Sequence, residues 1–111
     1  MLRYDRLVWN GRSDVHPAEA DYLQFDDANQ AELAAHDVSP TDASQVFWNS
    51  PIYMPNRRSV TGEWLMIGPT DGGRFLTISV VCDEITWLTR PITGWDSDPS
   101  QVARWRKQRG R

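Results

Sequence analysis

Apolar positions recur at helical spacing before residue 50 and again after residue 98, and crowd together as strands do in between. The first helix is predicted to open at Asp26 or Asp27, with Asp27 and Gln30 in capping-box spacing and an unbroken run from Ala28 to Ala35. It is predicted to end near His36-Asp37, where aspartate tolerates a left-handed backbone. The second helix has a fuller start signal: Ser39 as cap, Pro40 in the first helical position and Asp42 as the answering acid. Its apolar side is Ala43, Val46 and Phe47, with Trp48 beside them, and it stops before Asn49-Ser50-Pro51. Ile52-Tyr53-Met54, fenced by Pro51 and Pro55, reads as an edge strand or an irregular segment.

Stronger strands follow at Gly62–Gly68 and Arg74–Val81, joined by the turn Pro69-Thr70-Asp71-Gly72-Gly73. Asp83-Glu84 turns the chain into Ile85–Arg90, and a short turn carrying Trp95 leads to a last helix opened by Asp98-Pro99-Ser100-Gln101. The order predicts an α+β domain over residues 25–107, with two N-terminal helices and one C-terminal helix on a three- to four-stranded antiparallel β-meander. Residues 1–24 read as an irregular arm, with a short strand over Leu2–Trp9 and a turn at Asn10-Gly11, and residues 108–111 as a basic tail.

Composition narrows the class. Six tryptophans in 111 residues call for a packed core, and one core is all that such a length provides. No apolar run is long enough for a membrane span and the first residues lack a secretory pattern, so a cytoplasmic protein is expected. Cys82, alone in an apolar run, reads as a small buried strand residue. With His16 and His36 it has no metal-ligand spacing, and neither metal nor other cofactor is expected. Residues 104–111 hold five of the twelve basic side chains and no acid, leaving a balance of −8 on the rest. A body so acidic confines any RNA contact to a few arginines and the tail, and suits a basic protein partner or pairing of tail with body between copies.

Two segments together resemble a known family. The first runs from Phe25-Asp26 and Asn29 through His36, Val38 and Ser39 to Val46-Phe47. The second holds Gly73-Arg74-Phe75-Leu76, then Arg90, Ile92-Thr93 and Arg104-Trp105. In this order and spacing, over residues 23–107, they resemble the BrnT-like toxins, relatives of the RelE-type ribonucleases. The resemblance implies a toxin of a bacterial toxin–antitoxin pair, held by an antitoxin protein. It also implies metal-independent RNA cleavage, in which a 2′-hydroxyl attacks the adjacent phosphate. The chain departs from the pattern where arginines are expected, carrying Glu63, Pro69 and, in place of the chief phosphate contact, Trp95.

For such chemistry the catalytic candidates are His36, Arg74 and Arg90, and the RNA-binding candidates are Arg58, Trp95, Arg104 and Arg106. An imidazole works as acid or base near neutrality, guanidinium groups neutralise a crowded phosphate, and an indole stacks on a base. Each has a plainer role as well: His36 as a helix-end residue, Arg74 and Arg90 in partner contacts, Trp95 and Trp105 in packing, and His16 as a solvated loop residue. The missing arginines and the acidic body favour a second reading, a catalytically silent relative acting as a protein-binding module. Geometry separates the two. A nuclease needs Arg74, Arg90 and His36 on one concave surface; guanidinium groups on opposite sides, or each neutralised by a carboxylate, leave a scaffold for docking proteins.

Overall fold

The computed structural model describes residues 16–20, 22–57, 62–83 and 85–110. The Leu2–Trp9 strand, the Asn10-Gly11 turn and Arg58 lie outside them. In chain order the elements are a 3-10 turn at Pro17–Glu19, β1 (Tyr22–Leu23), α1 (Asp27–Ala34), α2 (Pro40–Trp48), β2 (Ile52–Pro55), β3 (Trp64–Pro69), β4 (Phe75–Asp83), β5 (Leu88–Asp96) and α3 (Pro99–Arg109). The α+β class stands, but the sheet has five strands among the described residues, in the order β1-β5-β4-β3-β2. The extra strand is the two-residue β1, which runs parallel to β5, so the sheet is mixed and not a pure meander.

The caps set the helix starts. Asp26, not Asp27, is the cap of α1, because the side chain that returns to the cap amide is Asn29 and not Gln30. Ser39 with Asp42 and Asp98 with Gln101 form the expected capping boxes, each followed by proline. Asp37 does turn the chain in the left-handed region, at φ 61°. α3 continues to Arg109 and closes on left-handed Gly110, so the basic end is ordered helix where a tail was expected from residue 108. No helix among the described residues is long and apolar enough to cross a membrane.

Strand alternation divides the core between two faces. Met66, Leu76, Ile78 and Val80 turn toward α2 and pack with Leu33, Val38, Val46 and Phe47. Ile67 and Ile52 turn the other way and pack under Trp105 of α3. The first face is extended by residues 16–20. Pro17 is fully buried there, and the His16 ring lies 4.5 Å from that of Trp64 and 5.3 Å from that of Tyr53. His16 is therefore a packed residue, not a solvated one, because the arm folds back over the aromatic pair.

β5 differs most from expectation. Its pairing with β4 runs through Trp95 and Asp96, so Trp95 sits in a strand, opposite Thr77, and not in a turn. Ile85-Thr86-Trp87, expected to begin this strand, form the tight turn before it, organised by the Asp83 carboxylate accepting the Ile85 and Thr86 amides. The register slips within the β4–β5 pair: Ser79 faces Thr93 while Val80 faces Pro91, which leaves Ile92 as the extra residue of a bulge. The exposed edge of β5 is closed in two steps. Gln24 of the β1 segment donates to the Thr89 carbonyl at 2.8 Å, and the buried Asn29 of α1 donates to the Pro91 carbonyl at 2.9 Å.

Candidate functional site

Arg90 and Thr93 are three residues apart and would point to opposite faces of a regular strand. The bulge at Ile92 brings them to the same face, since their partners Val81 and Ser79 are two residues apart on β4. With Ala28, Asn29 and Glu32 of α1 they border a shallow cleft of ≈ 370 Å³. Nothing in residue type or spacing announces the extra residue, so sequence reasoning missed it.

The charged side chains that border the cleft are paired. Arg90 donates through Nη2 at 2.7 Å and Nε at 3.0 Å to Asp26 Oδ2, the second oxygen of the carboxylate that caps α1. One carboxylate thus caps a helix and anchors it to β5. One turn from the other end of α1, Glu32 Oε2 accepts the Thr93 hydroxyl at 2.9 Å and faces His36 Nε2 at 3.2 Å. A carboxylate only accepts, so Nε2 carries the hydrogen in this contact.

Arg74 lies elsewhere. Its Nε donates to Asp96 at 2.7 Å, its Nη1 to the Asp37 carbonyl at 2.7 Å, and Asp42 of α2 stands 3.7 Å from Nη1. Asp96 pairs with Leu76, which faces α2, whereas Arg90 pairs with Val81 on the face shared with Thr77 and Ser79. Arg74 and Arg90 therefore belong to opposite faces of the sheet. His36 follows α1 at its Arg74 end; the eight helical residues that separate it from Asp26 correspond to about 12 Å of helix rise. A single scissile phosphate requires all its partners within hydrogen-bond reach, about 3 Å.

Of the RNA-binding candidates, Trp95 is half-buried on the α3 face opposite Thr77. Arg104 and Arg106 are exposed on α3. Arg106 lies 5.6 Å above the Phe75 ring, a cation–π contact. Arg109, unremarked in the sequence, donates to the Ser50 carbonyl at 2.8 Å and also to that of Pro51.

Comparison with protein-family models, curated proteins and solved structures returned no match.

Hydrogen bonding sets the electrostatics at the Arg90 end. The Asn29 amide and then the Arg90 guanidinium hold the Asp26 carboxyl below its ordinary value of 3.8. Its folded-state value lies beneath the unfolded one, so its stabilising contribution is complete above that ordinary value and is lost as pH falls through the folded-state value. The Asp26→Asn variant keeps a capping oxygen but no titrating charge. Its thermal midpoint should fall less steeply than that of the native chain between about pH 5 and 2. Equal slopes would mean that the Asp26 pair does not contribute to acid stability.

Proposed function

We propose that this chain is a BrnT-like member of a toxin–antitoxin-type pair that acts by binding a protein partner and does not cut RNA. The observation that carries this reading is the placement of its cations. Arg90 is neutralised by Asp26, Arg74 by Asp96 and Asp42, and the register sets the two arginines at positions facing opposite sides of the sheet. A phosphate approaching either would meet the carboxylate already there, on a body whose balance outside residues 104–111 is −8. Glu63, Pro69 and Trp95, where the family pattern has arginine, agree with this. The partner such a surface suits is basic.

A ribonuclease reading draws on one feature, the cleft that Arg90 borders together with Glu32, which links Thr93 to His36. There His36 would move the proton and Arg90 would meet the phosphate.

The two readings part in one experiment. Expressed alone, the chain should not arrest growth, and the purified protein should leave a structured RNA intact. It should also co-purify with the small basic protein that a neighbouring gene of such a pair encodes. Cleavage that disappears in Arg90→Ala and His36→Gln, with both variants still folded, would establish the nuclease instead.

A further inference from the structure

The least expected side chain on the surface is Trp48, the last residue of α2, which is 66% exposed. An indole is costly to leave in water, and this one does not fill a hole in the core; it stacks edge-on against Phe47 at 4.8 Å and leaves the rest of its surface open. Two clefts flank it, of ≈ 480 and ≈ 500 Å³, and Trp48, Asn49 and Asp71 belong to both.

Three features make this a place for positive charge. Asp71 presents a carboxylate in both clefts, and neither cleft has a basic residue in its lining among the described residues. The last turn of α2, where the helix dipole is negative, contains no basic side chain. The indole face adds the quadrupole that attracts ammonium and guanidinium groups. The arrangement is also fixed. Asn49 Nδ2 donates to Asp71 Oδ1 at 2.9 Å and to the Pro69 carbonyl at 3.0 Å, while the Asp71 amide donates to Gln45 Oε1 at 3.0 Å. Arg109 approaches this loop, but its guanidinium is engaged by the Ser50 and Pro51 carbonyls.

We infer that Trp48 and Asp71 form a docking site for a basic segment of a protein partner, with an arginine or lysine side chain laid over the indole and its charge directed at the carboxylate. The inference rests on the partner-binding reading and names the chemistry of the partner. Single-stranded RNA also stacks on indoles, but its phosphates would be repelled by Asp71 and by the negative end of α2.

The test is calorimetric titration of the full chain with an arginine–alanine repeat peptide and with its glutamate–alanine counterpart. The basic peptide should bind and the acidic one should not. Trp48→Ala should weaken binding by roughly ten-fold, the scale of a lost cation–π contact with its packing. Asp71→Asn, which keeps the oxygen that Asn49 reaches, should weaken it several-fold and reduce its salt dependence. Asp27→Asn, a charge removed elsewhere, should leave it unchanged. Both site variants should unfold at the native temperature, since the indole is exposed and the Asn49 hydrogen bond is retained. Equal affinity in all three variants, or an oligonucleotide whose binding requires Trp48, would overturn the site. RNA cleavage by a chain whose peptide binding still depends on Trp48 and Asp71 would overturn only the reading of its function.

Discussion

Replacing Trp105 by alanine should lower the unfolding free energy by about 3–5 kcal/mol, the range for deleting a buried aromatic side chain. In a domain of this size the thermal midpoint should drop by more than about 12 °C. The reason is how little else holds α3. Among the described residues, the buried apolar cluster between α3 and the sheet is Ile52, Ile67 and Trp105, and the indole is the largest. Trp105 is 4% exposed, packs edge-on against Phe75 at 5.2 Å, and donates from Nε1 to the Ser50 carbonyl at 3.0 Å. Gly68 lies beneath the indole, where a Cβ would press on the Pro51 backbone at 3.3 Å. Phenylalanine at 105 separates the contributions. It keeps most of the apolar contact and should cost about 1 kcal/mol for the lost hydrogen bond. Chemical unfolding of the three proteins checks this, and an alanine variant within about 1 kcal/mol of the native chain would show that α3 is held by something else.

Asn29→Ala should be the second severe change, at about 2–4 kcal/mol. The Asn29 side chain is buried and makes three hydrogen bonds: it accepts the Asp26 amide at 2.8 Å and donates at 2.9 Å to the carbonyls of Gln24 and Pro91. Truncation strands three backbone groups at the junction of β1, α1 and β5, and an unsatisfied buried group costs on the order of 1–3 kcal/mol. Asn29→Asp should be as damaging despite its shape, because it turns a carboxylate on two carbonyl oxygens. Hydrogen exchange gives the sharper readout: amides of β5 should open faster in both variants while those of α3 keep their protection. Protection of β5 equal to that of the native chain would mean that the edge is closed without Asn29.

These two residues had different visibility in the sequence. Trp105, on a helix announced by Asp98, Pro99 and Gln101, read as core from its type and position. Asn29 matched a family-like spacing, but its reach to Pro91, sixty-two residues away, is not a local property. The candidate site divides in the same way. His36 at a helix end and Arg74 at a strand start lie where they were expected. The pairing of Arg90 with Asp26 and of Arg74 with Asp96 joins residues far apart in the chain, and this pairing decides whether a cation is free for phosphate.

Local chemistry set the helix starts, the left-handed turn at Asp37, the edge position of β2 between its prolines and the burial of Cys82 and Trp105, because caps, ring constraints and apolar alternation act over a few residues. Long-range contact decided the rest: the parallel β1, the bulge at Ile92 that turns Arg90 and Thr93 to one face, the strand conformation of Trp95 and the carboxylate facing each guanidinium. Strand order and register depend on which distant surfaces exclude water together, and no window of neighbouring residues contains that information.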